Sequence, residues 1–149
     1  MSNTVNREKF PPLLIVILPI IVFLVSCNHT RSKTPVNTPQ YLVGTPWAVV
    51  SVNGTKLDKD TKISLTFLDG GTFRGDVLCN YYGGKYATGD NNTLRMTDVT
   101  VTLLLCQGNQ AQGDKYLQIL SSVLYYKFSG NKLVFQGKDD KELVILQSP

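Results

Sequence analysis

The sequence predicts an α+β domain, a strongly bent antiparallel sheet or partly open β-barrel covered by one α-helix. Two observations lead to this class. Short segments of alternating apolar and polar residues recur between Gly, Asn and Asp turn signals, which is typical of antiparallel strands. One later segment, 110–124, has its apolar residues at helical spacing instead. A single amphipathic helix of this kind can cover the open face of a curved sheet.

The N-terminal segment is similar to a signal peptide. Arg7 and Lys9 precede an apolar run from Leu13 to Val25. At about 13 residues this run is shorter than the roughly 20 that span a bilayer, so residues 1–26 are left out of the predicted fold. The run ends in Leu-Val-Ser-Cys, which resembles a bacterial lipobox with Cys27 as the acylated residue. The alternative is an uncleaved signal anchor in which Cys27 has no special role.

Lipidation of Cys27 would place the protein outside the cytoplasm, in the cell envelope. Acyl chains such as palmitate hold a protein on a membrane because each buried methylene contributes about 0.8 kcal/mol. Asn28 follows the cysteine in place of an aspartate, which favours the periplasmic face of the outer membrane in a cell with two membranes. Residues 27–40 are polar, with two prolines, and are predicted to form a flexible tether.

Residues 41–149 are long enough for one domain with its own core. Ile63, Leu65 and Phe67 alternate with polar residues, as in a half-buried strand. Asn53-Gly54 and Gly130-Asn131 are two-residue turn signals. The predicted strands are Trp47–Val52, Lys62–Leu68, Thr72–Val77, 81–88, Thr93–Val99, Tyr125–Ser129, Lys132–Gln136 and Glu142–Gln147.

The predicted helix, 110–124, has a clear apolar face and a start signal. Asn109 followed three residues later by Gln112 fits a capping box. If the helix packs onto the sheet the interior is solid, and if it stands away an aromatic-lined cleft remains. The helix face consists of Tyr116, Leu117, Leu120, Val123 and Leu124. The predicted interior beneath it contains Trp47, Phe67, Tyr86, Leu117, Leu120 and Phe135.

Charge and acidic residues give little reason to expect nucleic-acid binding or catalysis. The formal net charge is +4, but the basic residues are spaced singly, as on a solvated surface. The close carboxylate pairs Asp58 with Asp60 and Asp139 with Asp140 fall in predicted turns. We interpret them as solvated charges and expect neither a nucleic-acid partner nor a metal site.

Cys79 and Cys106 are the two cysteines of the predicted domain. A nucleophilic cysteine needs a base, and residues 41–149 contain no histidine. Two cysteines without histidine are also too few ligands for a typical zinc site. An even pair in an oxidising compartment favours a disulfide. A reduced structural pair and a chemically active cysteine remain the alternatives.

The remaining motifs have simple structural interpretations. The Arg74-Gly75-Asp76 triplet resembles an adhesion motif, but it falls within a predicted strand, where Gly75 indicates a bulge or a close backbone approach. Gly83-Gly84 indicates a sharp bend of the sheet. Core and cross-strand packing is the expected role of five tyrosines, and lining a site for an apolar or peptide ligand is the alternative: Tyr81, Tyr82, Tyr86, Tyr125 and Tyr126.

A resemblance to the META domain, the HslJ-like family, rests on four features in a fixed order. They are LVGTPWAVVSVNG at 42–54, LTFLDGGTFRGDVLCNYYGGKY at 65–86, Thr102 four residues before Cys106, and YLQIL at 116–120. Leu78 departs from the glycine that usually precedes Cys-Asn, and Leu105 departs from a small residue. The positions that match the family motif are Gly44, Thr45, Trp47, Cys79, Asn80, Gly84, Tyr86, Thr102 and Cys106.

The resemblance implies a small envelope lipoprotein, with some members associated with heat shock or envelope stress, and it brings no established catalytic site or cofactor. We therefore expect a non-catalytic, membrane-tethered binding module with an envelope protein as its partner. A pilotin-like carrier of lipid or of an apolar peptide tail is the first alternative. An enzyme with a cysteine nucleophile is the second. The sequence does not predict the oligomeric state.

Overall fold

The computed structural model describes residues 41–107 and 109–149. The predicted signal peptide, Cys27 and the predicted tether lie outside the described residues. Within the described part, the chain forms nine strands and one α-helix. The strands are β1 (Trp47–Val52), β2 (Thr55–Lys56), β3 (Ser64–Leu68), β4 (Thr72–Val77), β5 (Asn80–Gly89), β6 (Thr93–Val101), β7 (Tyr125–Ser129), β8 (Lys132–Gln136) and β9 (Glu142–Gln147), and the helix α1 is Gln110–Ile119.

The antiparallel sheet closes into a barrel with one weak seam. β1 pairs with β3 on one side and with β9 on the other, and β3 to β9 pair with their neighbours in chain order. The short strand β2 pairs with the end of β1. The seam lies between β6 and β7, whose ladder has a single pair, Thr93 with Tyr125. The Leu94 amide next to it donates to the Leu124 carbonyl at 2.9 Å. The predicted fold class, a partly open β-barrel with one helix, is confirmed.

The strands form where apolar alternation predicts them. Ile63, Leu65 and Phe67 are all buried. Asn53 and Gly54 have φ angles of 49° and 78°, the left-handed conformation that a tight primed turn requires at both central positions. All eight predicted strands are present, with β3 beginning at Ser64 and β6 extending to Val101. The two-residue strand β2 was not predicted.

The predicted extent of the helix is wrong at its C-terminal end. α1 ends at Ile119, a short 3₁₀ turn follows, and Val123 is extended with a ψ of 129°. The backbone of Leu124 is bound on both sides, because its amide donates to Gln136 and its carbonyl accepts from Leu94. These hydrogen bonds to β8 and β6 replace the helical ones, so sheet pairing outweighs the helical pattern of apolar residues.

The predicted capping box is half correct. The Asn109 side chain accepts a hydrogen bond from the Gln112 amide at 3.3 Å, as a helix N-cap does. The Gln112 side chain does not return to Asn109. It accepts from the Asp58 amide at 3.0 Å and donates to the Lys56 carbonyl at 3.4 Å. The cap residues therefore connect the start of α1 to the end of β2 and to the turn that follows it.

The interior beneath the helix is packed with aromatic and aliphatic side chains. Phe67 lies at its centre, with ring centroids 4.7 Å from Tyr86 and 6.2 Å from Phe135. Leu120 is fully buried and Leu117 packs against the core from its edge. Together with Trp47, these residues make the predicted interior a filled one.

Two buried tyrosines connect α1 to the sheet. The hydroxyl groups of Tyr82 and Tyr116 lie 2.6 Å apart, and the Tyr82 hydroxyl donates to the Ser64 carbonyl at 2.7 Å. Since Tyr82 has one proton and donates it to Ser64, Tyr116 is the donor of the hydrogen bond between the two rings. Burial raises the pKa of both hydroxyl groups. Both tyrosines are therefore protonated at ordinary pH.

Glycines allow the close approaches that the sequence indicated. Gly75 lies in β4 opposite Tyr82, and a Cβ there would overlap the Ser64 carbonyl oxygen and lie 2.7 Å from the Tyr82 ring. The Arg-Gly-Asp triplet is thus part of a paired strand, as predicted. Gly84 is at an irregularity between β5 and β6, and a Cβ there would lie 2.7 Å from the Phe73 ring. The predicted bend at Gly83-Gly84 is a bulge.

Candidate binding site around the disulfide

A disulfide joins the turn between β4 and β5 to the chain that follows β6. Cys79 and Cys106 are bonded, with their Cα atoms 5.4 Å apart. The Cys79 amide donates to Cys106 Sγ at 3.1 Å. The Gln110 side chain at the start of α1 donates to the Cys106 carbonyl at 3.0 Å. The predicted pairing is therefore present, and it connects the sheet to the segment that leads into the helix.

The side chain of Asn80 binds this same segment from the inside. Its Oδ1 atom accepts from the Leu104 amide at 2.7 Å and from the Thr102 hydroxyl at 2.9 Å. Its Nδ2 atom donates to the Leu104 carbonyl at 3.1 Å. Thr102 also accepts from the Tyr81 amide at 3.0 Å. Asn80 is buried, so these hydrogen bonds replace water contacts that its amide would otherwise need.

Four positions of the family motif therefore form one structural unit. Cys79 comes from the turn before β5, Asn80 is the first residue of β5, and Thr102 and Cys106 come from the chain after β6. We call these four residues the bracket. The disulfide holds the segment at Cys106, and the Asn80 side chain binds it at Thr102 and Leu104. The backbone of Leu104 is therefore fixed at its amide and at its carbonyl.

The segment inside the bracket has three leucines whose side chains point into solvent. Leu103, Leu104 and Leu105 expose 91, 58 and 102% of their reference areas. We call them the leucine loop. Tyr81 and Val101 next to it are also exposed. Three consecutive exposed leucines on a fixed backbone form a contiguous apolar patch, and such patches are typical of interaction sites.

Leu78 has a strained backbone beside the disulfide. Its φ angle is 58°, in the left-handed region that favours glycine and costs other residues roughly 1–2 kcal/mol. This is the position at which the family usually has glycine, so the leucine found here adopts its backbone conformation at an energetic cost. The side chain is half-buried and lies against the helix near Gly113.

Two hollows lie on either side of Leu78. A groove of about 230 Å³ runs between the leucine loop and α1, and its lining includes Val101, Gly113 and Asp114. A wider cleft of about 590 Å³ lies on the other side, against the disulfide, Tyr81 and Thr61. The hydroxyl group of Thr61 is buried and has no hydrogen-bond partner among the described residues.

The other motif residues shape the turns and the core. Gly44 has a φ angle of 79° and donates its amide to Phe67 at 2.9 Å. The Thr45 hydroxyl donates to the Tyr41 carbonyl at 3.0 Å. The Tyr86 hydroxyl donates to the Leu68 carbonyl at 3.1 Å. With Gly84 at its bulge and Trp47 buried, these residues have no part in the bracket.

The sequence did not predict the leucine loop as a site. Leu103–Leu105 break the alternation of β6 and are followed by polar residues, which is the signal that was present. The tyrosines also divide into two groups. Tyr82, Tyr86 and Tyr126 are buried, as core packing predicts, whereas Tyr81 and Tyr125 are exposed.

Other kinds of site have little support in the part of the chain that the structure describes. No group of three His, Cys, Asp or Glu side chains in residues 41–107 and 109–149 is placed to hold a metal ion. No helix in these same two ranges combines the length and the apolar character that crossing a bilayer requires.

Comparisons with solved structures support the fold. One NMR structure matches with a TM-score of 0.58 and 18% identity, over 74% of this chain and 93% of the other. An NMR structure of a protein from Burkholderia xenovorans matches with a TM-score of 0.55 and 22% identity, over 74% and 85%. The match to a duf4847 family protein from Bacteroides vulgatus ATCC 8482 is partial, with a TM-score of 0.47, 16% identity and 57% of each chain.

Sequence comparisons identify the family. None of the curated protein sequences matches this chain. The family model of the META domain matches residues 40–149, which include every strand, the helix and the bracket. The chain belongs to the META domain family.

Proposed function

We propose that this protein is a non-catalytic binding module, held at the envelope membrane by lipid on Cys27 and linked to envelope or heat-shock stress. The lipobox-like sequence and the polar stretch after it support the anchoring. The family supports a small binding or stress-related domain. The absence of histidine from residues 41–149 argues against a cysteine nucleophile, and the disulfide occupies both sulfur atoms.

The leucine loop is the observation that carries the proposal. The exposed leucine side chains do not stabilise the core. If they lay on a mobile loop, binding a partner would cost the conformational entropy of that loop. The bracket removes much of this loss in advance, because it fixes the Leu104 backbone before a partner arrives. Apolar side chains on a pre-organised backbone are suited to protein contact.

The filled interior favours protein contact over the carrier alternative. Phe67 and Phe135 of the sheet and Tyr116 of α1 are fully buried in the core that the helix covers. An acyl chain that entered the interior would have to displace them. If the protein is a carrier, a fluorescent fatty acid will bind saturably at one site. We expect no saturable binding.

The contact surface is tested by cross-linking in the envelope followed by purification of the protein. Leu103→Ser combined with Leu105→Ser should reduce recovery of the cross-linked partner at least tenfold. The free energy of unfolding of this double variant should change by less than about 0.5 kcal/mol, since both replaced side chains are exposed. Tyr41→Ser, at another exposed residue, is the matched control and should retain the partner. Equal recovery from all three proteins would contradict the proposal.

The anchor is tested separately. Cys27→Ala should abolish labelling by a fatty-acid analogue and leave the protein unprocessed or mislocalised. Cys27→Ser is the conservative control and should behave in the same way, because a thiol is the acyl acceptor. Labelling that persists in either variant would show that the lipobox assignment is wrong.

A further inference from the structure

The outer edge of β6 has no strand beside it over most of its length. β6 pairs with β5 from Thr93 to Val101 on one side. On the other side its ladder with β7 contains Thr93 alone, and no other strand of the described residues pairs there. Thr97, Thr100 and Val101 are exposed. Unpaired strand edges bind extended peptides because their amides and carbonyls lack partners.

The geometry shows which backbone groups face outward. The Thr102 amide donates to the Tyr81 carbonyl at 3.0 Å, so Thr102 and Tyr81 form a hydrogen-bonded pair. In an antiparallel ladder such pairs alternate with non-hydrogen-bonded ones. The next pair, Val101 with Tyr82, is therefore non-hydrogen-bonded with respect to β5. The amide and the carbonyl of Val101 point away from β5, toward the free edge.

This edge continues into the groove beside the leucine loop. Val101 lines the groove together with Leu103 and Asp114. Asp114 has no ion-pair partner within the described residues, whereas the acidic residue of the edge, Asp98, is bound to Lys85 at 2.9 Å. The site thus combines free backbone groups, apolar side chains and one unpaired carboxylate. An extended apolar peptide segment with a basic residue is complementary to all three.

We propose that an extended apolar segment of a partner protein, carrying a basic residue, adds to the outer edge of β6 as an extra strand. Its backbone pairs with Val101, its apolar side chains contact the leucine loop, and its basic residue approaches Asp114. This rests on the proposed function, since it specifies how the binding module contacts its partner. It also explains why the bracket fixes the chain directly after β6, where a mobile segment would interfere with strand addition.

Proline at position 101 tests the backbone contact. Val101→Pro removes the outward amide and leaves the hydrogen bonds between β6 and β5 in place. Val101→Thr is the matched control, because it retains the amide and a β-branched side chain of similar size. In each protein Leu103 is replaced by p-benzoylphenylalanine, and the cells that make the protein are irradiated. We expect the yield of cross-linked adduct to fall at least tenfold with proline and less than twofold with threonine.

A second measurement does not depend on the folding of the proline variant. In the isolated adduct of the otherwise unchanged chain, hydrogen exchange of the Val101 amide should slow at least tenfold relative to the free protein. The Thr100 amide, which faces β5, should change little. Asp114→Asn should lower the adduct yield about threefold. Unchanged exchange at Val101 would overturn strand addition.

The outcomes separate this inference from the proposed function. Equal adduct yields from the proline and threonine variants would overturn strand addition and leave the binding module intact. No adduct from any version would contradict both. An adduct with the mass of two copies of this chain would show that a second copy occupies the edge, and an adduct with lipid would show a membrane contact. Either result would overturn the partner that we propose.

Discussion

The helix-covered interior and the leucine loop use similar apolar side chains for opposite purposes. In the interior, Phe67, Tyr116 and Phe135 are fully buried and stabilise the fold. In the leucine loop, three leucines are exposed although the Leu104 backbone is hydrogen-bonded at both its amide and its carbonyl. In this protein, therefore, an ordered backbone does not require buried side chains. The bracket orders a segment without burying its side chains, which indicates a binding role.

The substitution that should destabilise the protein most lies in the interior. Gly75→Ala would place a Cβ on the Ser64 carbonyl oxygen and against the Tyr82 ring, neither of which can move without displacing a strand. We expect a loss of at least about 4 kcal/mol of unfolding free energy, enough to prevent folding. Gly70→Ala is the control. It has a φ angle of 82° but open space around its Cβ, so it should cost only about 1–2 kcal/mol, measured by urea unfolding. A Gly75→Ala protein as stable as the control would contradict the close packing of β3, β4 and Tyr82.

Removal of the disulfide should lower the stability of the fold and should also weaken contact between the leucine loop and a partner. Cys79→Ser combined with Cys106→Ser opens a link with a sequence separation of 27. The unfolding free energy should fall by about 3–4 kcal/mol on the chain-entropy model. The yield of cross-linked partner should fall by more than the unfolded fraction of this double variant accounts for, because the leucine loop loses one of its two fixed ends. Partner recovery that follows the folded fraction alone would show that the bracket contributes to stability and not to presentation.

A pH effect of moderate size belongs to the interior alone. Burial raises the pKa of the Tyr82 and Tyr116 hydroxyl groups above the unfolded value of about 10. The contribution of these pKa shifts to the unfolding free energy is complete below pH 10. It is lost as the pH rises further, because only the unfolded chain releases these protons. The unfolding free energy should fall by about 1.4 kcal/mol per pH unit for each tyrosine above that point. Tyr116→Phe should make the alkaline slope shallower, as measured by urea unfolding at several pH values. An unchanged slope would show that Tyr116 ionises freely.

The sequence predicted the interior far better than the leucine loop, for a physical reason. Strands such as β1 and β9 are specified by local alternation, so their bounds were predicted to the residue. The helix end was not, because the Leu124 backbone bonds to Gln136 and Leu94, which are distant in sequence. The bracket was recognised only as a motif. Its geometry depends on contacts between Asn80 and Leu104, and no periodicity encodes such contacts.

Amide hydrogen exchange measures whether the backbone of the leucine loop is ordered while its side chains are exposed. The Leu104 amide donates to buried Asn80, whereas the Leu105 amide has no hydrogen-bond partner in the described part of the chain. We predict that the Leu104 amide exchanges at least a hundredfold more slowly than the Leu105 amide, and that Asn80→Ala removes the difference. Equal, fast exchange at both amides of the unmodified protein would show instead that the leucines lie on a mobile loop and that Asn80 does not order it.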